Sequence, residues 1–236
     1  MTLPFRTAAL LIIFCNLPVL HAQATPSASL LVLSKQEHTL ATVDAASLQV
    51  IAKVPVGNDP HEVIASTNGS TAYVSNFGFG AFNTLAVVDL LAHKPLPSID
   101  LGPLHGPHGL TFIGGKTWFT AEASKSIARY DPATRKVDWI LGTGQNRTHM
   151  IYVSEDEKRI VTTNVSSGTV SIIDQESIHM PGLPPPPGTS HISDNPEAPG
   201  MPSPGNSSFR TDWNETVVRV GNGSEGFDVS PDHKEI

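Results

Sequence analysis

The chain has 236 residues, a formal net charge of −7 and a single cysteine, Cys15. An acidic surface is repelled by phosphate backbones, which excludes nucleic acid as a partner. One thiol excludes a disulfide framework and a thiolate metal centre.

Residues 1–24 read as a secretory signal peptide. Arg6 supplies the positive charge, residues 8–14 an apolar run, and Ala22-Gln23-Ala24 the small-residue cleavage pattern. The run is short for a bilayer and Pro18 interrupts it, so no membrane span is expected after cleavage. Cleavage would remove both Arg6 and Cys15 and leave an exported, thiol-free chain of charge −8. Such a chain must rely on packing and strand pairing for stability.

Beyond residue 24 no segment keeps a helical period. A strand phrase ending in Asp recurs every 42 to 45 residues instead: Thr42-Val43-Asp44, Val87-Val88-Asp89, Arg129-Tyr130-Asp131 and Ile172-Ile173-Asp174. That period with strand patterning is the mark of a β-propeller blade. The expected fold is all-β, a propeller of four-stranded blades with about four blades present. Blade one opens at residues 30–34, which align with the second strand of the later units, so its inner strand is missing; a propeller commonly takes that strand from the far terminus. Blade two has strands at 61–65 and 72–76, joined by a turn through Asn68-Gly69. Blade three has strands at 108–112, 118–122 and 137–141. Blade four has strands at 149–153, 160–164, 169–174 and 216–220. The turns carry Gly, Asn and Asp, the residues that tight hairpins need.

Two features lie outside this period. Residues 178–210, with Pro184-Pro185-Pro186-Pro187, read as a long surface loop inserted between the last two strands of blade four. Residues 220–232 restart the repeat in register with 56–63, and the sequence stops soon after. The expectation is therefore a fragment of a larger ring, with two or three further blades.

With the phrase laid out, the chain resembles the YVTN family of bacterial β-propellers, the surface-layer and quinoprotein-like type. The residues that carry the resemblance are Pro60-His61-Glu62, Tyr73-Val74-Ser75-Asn76, Val161-Thr162-Thr163-Asn164 and Ser230-Pro231-Asp232, over about residues 30–176 and 214–236. Blade three departs, with Trp118-Phe119-Thr120-Ala121-Glu122 at the Tyr-Val-Thr-Asn place. The resemblance implies a roughly seven-bladed ring in an exported protein and names no activity.

Candidate site residues follow from the alignment. His61, His108 and His149 open three successive inner strands, and Glu225 holds the fourth matching place. Inner strands line the axial channel, so these positions face a common centre and could bind a ligand there. Three converging imidazoles, His61, His108 and His149, could hold a divalent metal; repetition alone also accounts for them, each ring bonding its own neighbours. Arg147 could meet an anion, and Glu62 and Glu122 are carboxylates that nothing pairs in the sequence. Asp44, Asp89, Asp131 and Asp174 read as turn formers. The expected function is an exported binding scaffold of the cell envelope, its partner a small molecule or an envelope protein or polysaccharide over the channel. The alternative is a metal-assisted hydrolase or lactonase, or a redox enzyme, using the channel histidines.

Overall fold

The structure is a computed structural model describing residues 28–180, 208–232 and 235–236. The signal-peptide reading of residues 1–24 lies outside the described residues. Among those described, the only helical element is one 3₁₀ turn at Gly78–Gly80, and no helix is long and apolar enough to cross a membrane.

Fifteen strands form four antiparallel sheets in chain order. Sheet one holds β1 (Ser29–Ser34), β2 (Thr39–Asp44) and β3 (Val50–Pro55). Sheet two holds β4 (Pro60–Ala65), β5 (Thr71–Asn76), β6 (Thr84–Asp89) and β7 (Lys94–Asp100). Sheet three holds β8 (Pro107–Ile113), β9 (Lys116–Ala121), β10 (Ser126–Asp131) and β11 (Lys136–Gly142). Sheet four holds β12 (Thr148–Val153), β13 (Arg159–Asn164), β14 (Thr169–Met180) and β15 (Ser208–Arg219). Each sheet is a meander, and the inner strands β4, β8 and β12 pack side by side. This is the radial arrangement of propeller blades.

Blade one has three strands, as its alignment predicts, and residues 225–230 form no strand with it. Pro95 and Pro97 hid β7 from the sequence pattern. They are tolerated because β7 is the outermost strand of its sheet, where a missing N–H breaks no inner ladder.

The expected loop at 178–210 is corrected at both ends. Residues 178–180 and 208–210 belong to a long ribbon in which β14 pairs with β15 from Thr169↔Arg219 out to Met180↔Ser208. Its outer part mixes polar residues with isolated exposed apolar ones, Ile178 and Phe209, so no regular hydrophobic alternation marked it. Backbone pairing extends it, and Trp213 anchors it by a tilted ring contact 5.3 Å from Trp139, which lies 5.2 Å from Trp118. The remainder of the insertion lies outside the described residues.

The core lies between blades. Alternate residues of one strand serve opposite neighbours: Ala72 and Val74 pack with Leu40, Val54 and Val56 of blade one, while Tyr73 packs with Phe119 and Tyr130 of blade three. Trp118 and Ile127 in turn meet Ile151, Ile160 and Ile173 of blade four. Strands buried on both faces explain the continuous apolar runs. Three of the four repeated aspartates are turn formers as expected: Asp44, Asp89 and Asp131 each accept from the backbone N–H groups of the residues two and three places on. Asp174 departs. It is gripped by the Arg159 guanidinium at 2.7 and 3.0 Å.

Candidate functional site

The backbone approaches the channel by the same path in each repeat. The residue two places before each site position has positive φ: Asp59 (45°), Gly106 (67°), Arg147 (55°) and Gly223 (78°). Three of the carbonyls at this bend then accept the N–H of the residue leaving the second strand: Phe77 to Asp59 at 3.1 Å, Glu122 to Gly106 at 2.9 Å and Val165 to Arg147 at 3.0 Å. Each inner strand next carries one extra residue, since its register skips between Pro60 and Val63, Pro107 and Leu110, and Thr148 and Ile151. These are β-bulges, which re-aim side chains and leave a backbone N–H without its ladder partner. A hydroxyl supplies that partner. Ser75, Thr120 and Thr163 accept from the N–H groups of Glu62, Gly109 and Met150. Thr120 then donates to the His149 carbonyl, and Thr163 to the Glu225 carbonyl, both at 2.6 Å. The last bond places Glu225 in the same relation to blade four as His149 has to blade three, as the alignment predicts.

The bulges bring the histidines into contact. The ring of His108 lies 4.1 Å from that of His61 and 3.8 Å from that of His149, and Phe77 sits 5.0 Å from His61 and 5.1 Å from His108. A cavity of about 520 Å³ is lined by all four sequence-predicted residues, His61, His108, His149 and Glu225. The same cavity is lined by Glu122, Arg147, Phe77 and Phe79.

The residues differ in environment. His108 is 2% exposed, and neither ring nitrogen has a hydrogen-bond partner. Burial, with the neighbouring His149 and His61, pushes its imidazole down to about 2, so it is neutral near pH 7. His61 is half-buried, and burial and the Lys35 ammonium lower its imidazole too. Lys35 Nζ lies 2.5 Å from His61 Nδ1 and 3.3 Å from Asp59. An ammonium only donates, so His61 Nδ1 accepts and the ring hydrogen resides on Nε2. His149 Nδ1 bonds the Glu122 carboxylate, and both side chains are buried. Arg147 approaches the other Glu122 oxygen at 3.4 Å and is partly open to solvent.

The two phenylalanines were not singled out in the sequence, and Glu122 was noted there only as a carboxylate without a partner. Glu122 leaves β9 at the position where blade two has Phe77 and blade four Val165; a charge among apolar equivalents is the signal that could have found it. Phe79 is 93% exposed at φ 52°, a strained conformation for a bulky residue, within the 3₁₀ turn beside the cavity. Glu62 does not line the cavity. Its carboxyl is raised by burial on the bulge of β4.

Radial four-stranded sheets joined through their inner strands, with a side-chain cluster over the axis, define a β-propeller. Comparison with solved structures agrees. The chain is similar to hydrazine synthase of Kuenenia stuttgartiensis, at 15% identity and TM-score 0.55 over 87% of this chain and 68% of that one. It is also similar to a functionally unknown protein of Desulfotomaculum acetoxidans, at 15% and 0.57 over 86% and 56%. The WD40 repeats of RRP9 match at 15% and 0.50 over 61% and 44%. The chain thus spans less than two thirds of the latter two, and likeness at this identity concerns the fold alone. No protein-family model and no curated protein matches the sequence.

Proposed function

We propose that this β-propeller, of the YVTN type, is an exported binding module of the cell envelope whose ligand sits over the axial channel. The observation that carries the reading is the convergence of His61, His108, His149 and Glu225 on one cavity. Its lining favours a small carboxylate with an apolar body. Arg147 offers a partly exposed guanidinium for the carboxylate, and Phe77 and Phe79 offer rings for the body. Phe79 is strained and exposed, with a tilted ring contact to Phe77 at 6.2 Å, which supports a role in contacting a ligand.

The test titrates the protein with benzoate, acetate and benzyl alcohol and follows the imidazole resonances of the three histidines. Benzoate should move them at lower concentration than either partial analogue, and Arg147→Gln should weaken benzoate at least tenfold. If none of the three compounds moves these resonances, the binding-module reading fails. Export is tested separately, by fusing residues 1–24 to a reporter enzyme that is active only outside the cytoplasm.

A further inference from the structure

The unpartnered His108 is the least explained group in the molecule. A buried polar atom without a partner is costly because it gives up its bonds to water, and here both ring nitrogens of one side chain are in that state. The site nevertheless keeps a histidine at this position, packed against a second histidine whose neighbour is a buried carboxylate.

We infer that this cluster is a divalent-metal site, with His108, His149 and Glu122 as its three protein ligands and a fourth position open to the cavity. The inference deepens the ligand-binding reading of the same face and rests on it. One ligand atom from each of the three residues already lies within 4.8 Å of the others. Tetrahedral ligands about 2.0–2.1 Å from a zinc ion stand roughly 3.4 Å apart. Binding therefore needs an inward adjustment on the order of 1 Å by His108 and a small parting of Glu122 from His149. The ion takes the place of the hydrogen shared by that pair, and His149 binds through Nδ1 as a neutral imidazole with its hydrogen on Nε2. His108 gains the partner it lacks.

His61 is not a ligand. Lys35 donates to its Nδ1, which fixes the hydrogen on Nε2 and leaves no lone pair for a metal. The set therefore differs from the three histidines that the repeat alone suggests: Glu122 replaces His61. Two imidazoles and one carboxylate form a borderline donor set. It suits zinc and its first-row neighbours, whereas magnesium and calcium take oxygen ligands throughout. The open position faces Arg147, so an anion bound there would meet both the metal and a guanidinium.

The experiment uses the full chain, stripped of metal, with zinc alone as probe and cobalt as its spectroscopic substitute. One equivalent of zinc should bind and raise the melting temperature, and cobalt should give the visible bands of a four-coordinate ion. Glu122→Gln keeps an acceptor for His149 Nδ1 but loses the ligand charge, so its melting temperature without metal should stay close to that of the parent while zinc affinity falls by about a hundredfold or more. His61→Gln should bind zinc as the parent does. Absence of stoichiometric binding overturns the inference, as does loss of binding in His61→Gln with retention in Glu122→Gln. If a variant fails to fold, X-ray absorption on the zinc-loaded parent decides: two imidazoles in the coordination shell support the site and three refute it. Benzoate binding by the metal-free protein is measured independently, so failure here is separable from failure of the binding-module reading.

Discussion

Thr120 joins two blades through one oxygen, and its removal gives a measurable prediction. The side chain is fully buried. Its hydroxyl accepts from the Gly109 N–H at 2.9 Å and donates to the His149 carbonyl at 2.6 Å. Both backbone groups sit at bulges where no ladder bond replaces it. Thr120→Val preserves shape but strands one buried donor and one buried acceptor, at about 1–3 kcal/mol each. The added methyl returns at most about 1 kcal/mol of burial. A net loss of about 2–4 kcal/mol is expected, which for a chain of this size lowers the melting temperature by roughly 5–15 °C. Thr120→Ser keeps the oxygen and should lose much less, since the Ser75 hydroxyl suffices to accept the corresponding bulge N–H in blade two. Ser126→Ala is the control. Its hydroxyl is buried without a partner, so deletion should be neutral or stabilising. Urea and thermal melts of the three variants decide. Thr120→Val within about 0.5 kcal/mol of the parent, or Thr120→Ser as damaged as Thr120→Val, would refute the bridging role.

Other expectations follow from the same geometry. Gly109→Ala places a Cβ 2.4 Å from the His149 carbonyl oxygen and 2.8 Å from Met150 Cα, both backbone atoms, so blades three and four must part; a stability loss above about 2 kcal/mol should appear in the urea melt. Phe79→Gly relieves the positive φ and should raise stability by up to about 1 kcal/mol while weakening benzoate, a combination that a purely structural Phe79 would not give. Asp138 is pushed up by partial burial, but Arg129 and Lys116 outweigh this and hold it below the usual carboxylate range. Its contribution is therefore present above the ordinary aspartate value of about 4 and is lost as pH falls through the lower folded value. Asp138→Asn should flatten that part of a pH–stability curve.

The sequence made the blades legible because their signals are local. In three of the four repeats the Asp-ended phrase marks a turn whose carboxylate caps its own backbone, and the continuous apolar runs record strands buried on both faces. Elements without such a signal were missed for physical reasons. β7 carries two prolines, acceptable only because its outer side has no neighbour. The outer half of the β14–β15 ribbon mixes polar residues with the exposed Ile178 and Phe209, and is held by backbone pairing and by Trp213 on Trp139. At the site, His61, His108, His149 and Glu225 were found by register, which the repeat preserves. Glu122 was seen but not paired, because its partner His149 belongs to the next blade and only the angle between blades brings them together.

That angle also explains why the candidate site lies where it does. Radial sheets come closest at their inner strands, and there a regular ladder cannot continue without collision between neighbouring backbones. Each inner strand yields by a bulge, and a Ser or Thr hydroxyl from the second strand accepts the freed N–H. In blades three and four the same hydroxyl also reaches the carbonyl of the next unit. The residue at the head of each bulge is thereby fixed at both its backbone and its neighbour. Side chains at that position converge because the joints between blades oblige them to, whatever their identity. Histidine supplies a ring small enough to pack, tilted, at 3.8–4.1 Å across adjacent blades and still present nitrogen lone pairs. The joint that builds the propeller and the cluster that can bind a ligand therefore share atoms. A substitution such as Gly109→Ala, which touches no cavity-lining side chain, should on this account disturb the His108–His149 ring contact as much as it disturbs the fold.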